Sequence, residues 1–172
     1  MKNAALIFPL LIFCLCSSAQ KSDSFVLYNQ EIGWHLFKGV PNSDSLDARI
    51  STSINLEVIK VDIWDGSILF KAYAVMYPFN SWVKPDYADR YTLQHVQGHF
   101  NVTELCARKL QAELNRMKIK SRKSSTIQTI AAKWQKEMEE MQKPYDLETK
   151  GANGSTAQKC WNDRLLIELN GT

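Results

Sequence analysis

From residue 48 to 61 the chain alternates. Ile50, Thr52, Ile54, Leu56 and Val58 fall on one side of an extended backbone, and Arg49, Ser51, Ser53, Asn55 and Glu57 fall on the other. Side chains along a strand point to opposite faces in turn, so this period of two predicts a half-buried strand. Asp65-Gly66 predicts a tight hairpin turn. Ile68, Phe70, Ala72, Ala74 and Met76 then form the core face of a returning strand, with Lys71, Tyr73 and Tyr77 behind. Residues 25–28 read as a weaker strand and residues 41–44 as a loop. The first half is therefore a small antiparallel sheet.

Beyond the connection at residues 78–85, which holds Ser81-Trp82-Val83-Lys84, the period changes. Asp86 is placed to cap a helix whose inward positions are Tyr91, His95, His99, Val102, Cys106, Leu110 and Met117. Steps of three, four and seven are those of a helical stripe. Gly98 sits inside it at a cost of about 0.8–1 kcal/mol relative to alanine, which suggests that something packs close to the backbone there. A polar break at residues 121–125 leads to a second amphipathic helix, with Ser125 and Gln128 as a capping box and Ile127, Ile130, Ala131, Trp134, Met138 and Met141 as its stripe. Pro144 is expected to end it, leaving residues 145–151 as a loop. After the glycine-rich turn at residues 151–154, a last helix runs from about Ser155 through Trp161 and Leu165 to Leu169. The class is α+β: a small N-terminal antiparallel sheet packed on a long helix, followed by two further helices.

Residues 4–16 are almost unbroken apolar chain after Lys2, and Ser17-Ser18-Ala19 places small residues before a cut. This reads as a secretory signal at 1–19, cleaved after Ala19 and leading to the secreted or periplasmic space, with a single domain at 20–172. No second run is long enough to span a membrane. The chain carries 21 basic and 18 acidic residues, and no dense basic stripe with interleaved aromatics, which argues against nucleic-acid binding. Cleavage removes Cys14 and Cys16. Cys106 and Cys160 remain, either bonded, as exported pairs often are, or buried as free thiols.

The chemistry concentrates at His95-Val96-Gln97-Gly98-His99. Histidines four apart lie on one side of a helix, as two imidazoles sharing one zinc ion must. In hydrolases built this way a glutamate follows the first histidine and takes a proton from the metal-bound water. Here that position is Val96, which cannot accept one. A third ligand has to come from elsewhere: His35, which follows Trp34 in a loop, or Asp146 or Glu148 in the stretch after Pro144. Lys150 beside them would repel a cation or fill its place.

The chain resembles a bacterial family of predicted secreted zinc-dependent proteases. The resemblance rests on Trp34 with Phe37-Lys38-Gly39 and Pro41, on Ser81-Trp82-Val83-Lys84, and on His95 through Phe100. It continues in Thr103-Glu104 with Ala107-Arg108-Lys109-Leu110, in Tyr145-Asp146 with Thr149, and in Ala157-Gln158 with Trp161. The family pattern reads H-E-x-G-H on the helix and Y-D-x-x-T-x-H-G in the late loop. The resemblance implies a zincin-like fold, His95 and His99 as metal ligands, and Tyr145 as a contact for a developing oxyanion. It also implies a glutamate at Val96 and a histidine at Gly151, and both are missing. A positioned base contributes about 10²–10⁴-fold in rate. The expectation is thus a catalytically degenerate, exported binding module for a peptide or partner protein, with zinc held weakly or not at all. The alternatives are an active zinc metalloprotease with an unusual base and third ligand, and an envelope structural protein with a collapsed cleft.

Overall fold

The computed structural model describes residues 25–26, 32–42, 46–117, 119, 124–150 and 154–171. The signal segment with its cleavage point, Cys14 and Cys16, Gly151 and the centre of the glycine-rich turn lie outside these residues. The described chain is α+β. Strands β1 (Phe25–Val26), β3 (Thr52–Val61) and β4 (Ile68–Met76) form one antiparallel sheet in the order β1-β4-β3, and β2 (Ala48–Arg49) pairs with β5 (Trp82–Val83) in a second. Three helices follow: α1 (Arg90–Arg116), α2 (Ser124–Thr149) and α3 (Gly154–Gly171). Among the described residues no helix is long and apolar enough to cross a membrane.

The alternating segment is not one strand. Its first residues leave β4 to pair with β5 in the register Ala48↔Val83 and Arg49↔Trp82. Ser51 marks the change of partner: its N–H donates to the buried Ser81 hydroxyl (2.9 Å), and its carbonyl accepts from Tyr77 N–H (2.9 Å). From Thr52 onward the chain pairs with β4, beginning Thr52↔Met76, and Ile54 and Leu56 pack into the core as the pattern predicts. Val58 does not, being 51% exposed. A bulge between Val58 and Lys60 shifts the register there, and the hairpin runs on past the core. Gly66, at φ 70°, makes the turn, and Ile63 and Trp64 stand at its tip in solvent.

The inner face of β4 is as expected, with Ala72, Ala74 and Met76 buried. Met76 and Ala74 pack with Phe100 and Ile32 against the first half of α1, and Ala72 packs with Leu110, Leu114 and Ile127 against the second half. A third cluster joins the helices through Val102, Leu105, Cys106, Met138, Tyr145, Trp161 and Leu165. α1 is thus covered on two sides, by sheet and by helices, which is why it is the central element.

Two helix boundaries differ from the sequence reading. Asp89, not Asp86, caps α1, its Oδ1 accepting from Thr92 N–H at 2.7 Å. Asp86 lies in a short 3-10 turn, Pro85–Tyr87, just before. More consequentially, α2 runs through Pro144 to Thr149. A proline inside a helix removes one backbone donor and costs about 3 kcal/mol. Here the next turn is anchored regardless, because Tyr145 and Thr149 are both buried and the Thr149 hydroxyl donates to the Tyr145 carbonyl at 2.6 Å. The cysteines are also free: Cys106 is sealed in the core of α1, while Cys160 is exposed on α3. Trp161 and Leu165 carry the buried face of α3, and Cys160 lies off that face.

Candidate metal centre

His95 and His99 stand one turn apart near the start of α1, with Nε2 atoms 3.2 Å from each other. The continuation of α2 past Pro144 brings Asp146 over both. Its Oδ1 lies 3.5 Å from His95 Nε2 and 3.3 Å from His99 Nε2. Two imidazoles and a carboxylate therefore converge on one point, and this group could hold a metal ion.

The other carboxylate and histidine considered for this role are elsewhere. Glu148 turns to α3, where its Oε2 accepts from Trp161 Nε1 at 2.8 Å. His35 is exposed in the 3-10 turn Trp34–Leu36 and folds back over Gly33. Lys150 does not fill the site. Its ammonium sits 3.8 Å from Asp146 Oδ1, with the side chain 62% exposed.

The far side of each imidazole is held by groups that can only accept. Gln142 on α2 donates its Nε2 to the His99 carbonyl at 3.0 Å, which turns its Oε1 toward His99 Nδ1. Gln158 on α3 donates its Nε2 to the Tyr145 hydroxyl (2.6 Å) and to Asn162 Oδ1 (2.9 Å), which turns its Oε1 toward His95 Nδ1 at 3.2 Å. Thr149 also lies 3.2 Å from His95 Nδ1, its proton already given to the Tyr145 carbonyl. Both Nδ1 atoms must therefore carry hydrogen, and both Nε2 lone pairs face Asp146. Three electron-rich atoms at this spacing could hold a cation between them.

Tyr145, which the resemblance offers as an oxyanion contact, is turned into the helix packing. It is fully buried and donates its hydroxyl to the His95 main-chain carbonyl at 2.8 Å. Its ring stacks on His95 at 5.1 Å between centroids and meets His99 edge-on at 4.8 Å. Burial pushes its phenol pKa up, so it stays a neutral donor. This contact accounts for Gly98: a Cβ there would overlap the Tyr145 hydroxyl. Gly154 has a like role, since a Cβ would meet the Thr149 carbonyl and the Tyr91 hydroxyl. Tyr91, expected inward, is 41% exposed at the rim and donates to that same carbonyl at 3.0 Å.

The histidine pair opens onto a cleft of about 630 Å³ between the start of α1, the end of α2 and residues 46–50. Val96 lies in its floor, 2% exposed. Among the described residues two carboxylates line the cleft, Asp146 and Asp47, and Asp47 pairs with Lys84 at 3.8 Å. Sequence reasoning missed Gln142 and the wall at residues 46–50. Gln142, Asp146 and Thr149 are spaced by four and three and share a helix face, a signal hidden by reading Pro144 as a helix end.

No family model matches the chain, and no curated protein or solved structure matches it.

Proposed function

We propose that this chain is an exported, zincin-like metal-binding module that binds, rather than cleaves, a peptide or partner in the cleft beside His95, His99 and Asp146. The observation that carries the reading is the triangle of donor atoms, with sides of 3.2, 3.3 and 3.5 Å. Ligands about 2.0–2.1 Å from a tetrahedral zinc stand roughly 3.3–3.4 Å apart. Around an octahedral ion such as magnesium, with bonds of about 2.0–2.1 Å, neighbouring ligands stand only about 2.9 Å apart. Two imidazoles also favour zinc over hard, oxygen-seeking cations. Three protein ligands leave a fourth position open to the cleft, and zinc bound there would polarise whatever oxygen occupies it.

Among the described residues no uncommitted carboxylate lines the cleft to act as a base, which supports binding over hydrolysis. Val96 occupies the glutamate position, Asp146 is spent on the histidines, and Asp47 is engaged by Lys84. The open cleft weighs against a purely structural role, since neither Tyr145 nor Lys150 fills it. A slow hydrolase is the second reading, favoured by Asp146 in the place of a third ligand. The test is metal analysis and calorimetry on the purified chain, with His95→Ala and Asp146→Ala beside it. About one zinc per chain, lost or severely weakened in both variants, is the expected result. No zinc at micromolar metal would overturn the metal reading, and zinc-dependent peptide cleavage by the native chain would move it to the hydrolase.

A further inference from the structure

Resting on that reading, we propose that the zinc-bearing cleft takes a carboxylate with an apolar stem, such as the C-terminus of a peptide ending in an aliphatic residue. Among the described residues two cations line the cleft beyond the metal group. The side chain of Arg49, exposed on β2, has no hydrogen-bond or ion-pair partner among the described residues. Lys150, on the opposite wall after α2, has Asp146 as its ion-pair partner. A divalent ion at the histidines takes over that carboxylate and outweighs its single negative charge. Lys150 is then released, and the mouth of the cleft is left with an excess of positive charge that only an anion can answer.

The shape of the charge favours a carboxylate. An arginine fork matches the two oxygens of a carboxylate in its own plane, and one of those same oxygens can also face the open metal position. Beside Asp47, which Lys84 engages, and the polar groups of Tyr91, Thr92 and Thr149, the wall carries an apolar strip: Leu46, Ala48 and Ile50 along the β2 side and Val96 beneath. Inorganic phosphate has no body to cover that surface, whereas a carboxylate on an aliphatic stem covers it and places its charge at Arg49 and Lys150 together.

The roles of the two cations separate in experiment. Zinc content and affinity are read first, on the purified chain and on Arg49→Ala and Lys150→Ala. Binding of a tripeptide ending in leucine is then measured by calorimetry on the zinc-loaded chains, as the free acid and as the C-terminal amide, with inorganic phosphate as a third probe. The free acid is expected to bind at least about 10-fold more tightly than the amide, and each variant to lose about 10-fold for the free acid alone. Lys150→Ala is expected to hold zinc more tightly than the native chain, because a competing cation has gone from beside Asp146. That opposite pair of effects is one that a merely structural lysine would not produce. With zinc bound, equal affinity for acid and amide overturns this inference and leaves the metal reading intact. Phosphate binding as tightly as the free acid, with the same dependence on Arg49, overturns the carboxylate assignment in favour of a general oxyanion site. A chain that takes up no zinc fails at the first reading, before any peptide is added.

Discussion

Consider Gly98→Ala. In an isolated helix the change stabilises by about 0.8–1 kcal/mol, since glycine is the poorer helix former. In this fold the new methyl would overlap the hydroxyl and the ring of Tyr145. Tyr145 cannot retreat, being fully buried between α1 and α3 with Trp161 edge-on behind it at 5.5 Å. Overpacking of this kind costs typically 1–3 kcal/mol, and displacing the ring also strains its bonds to the His95 carbonyl and to Gln158. Subtracting the helix gain from the overpacking cost alone leaves a net loss of up to about 2 kcal/mol, to which the strained bonds add. Because Asp146 is the next residue on α2, zinc affinity should fall with stability. Urea unfolding of the metal-free chain reads the first effect, and zinc titration the second. The control is Gly98→Ala in a Tyr145→Ala background, where the obstruction is gone. There the alanine should stabilise by about 0.8–1 kcal/mol, reversing the sign. A Gly98→Ala chain as stable as the native one, with unchanged zinc affinity, would refute the claim that this glycine exists to admit Tyr145.

Gln142→Leu removes the acceptor that fixes the ring of His99 and should weaken zinc binding about 10–100-fold; calorimetry checks it, and an unchanged affinity would show that the imidazole orients itself. The two cysteines should differ sharply toward a thiol reagent. In the chain from residue 20 the exposed Cys160 reacts at pH 8, while burial pushes the Cys106 thiol up to about 11, so its thiolate is scarce until the pH nears that value or the chain unfolds. One thiol per folded chain and two in denaturant is the expected count, and two fast thiols in the folded chain would contradict the packing of α1. Leu165→Ala, at a fully buried position in the cluster that joins the helices, should cost about 2–5 kcal/mol in chemical denaturation.

The sequence by itself determined the order and kind of elements. Period two across Thr52, Ile54 and Leu56, the Asp65-Gly66 turn and the alternating face of Ala72, Ala74 and Met76 specify a hairpin, because side-chain direction along an extended chain is a local property. The stripe through Val102, Cys106 and Leu110 specifies a long buried helix for the same reason. His95 and His99 were legible as a pair, since four residues of helix always bring two side chains together. Tertiary structure alone decided where the chain changes partner at Ser51, because a strand's pairing depends on what lies beside it rather than on its own residues. It decided that α2 survives Pro144, where the burial of Tyr145 and Thr149 outweighs one lost backbone bond. Through that continuation it chose Asp146 over Glu148 and His35 as the group that faces the histidines. The choice turns on separations of a few ångströms across residues roughly fifty apart in sequence, and only packing of α1, α2 and α3 around Tyr145 sets those.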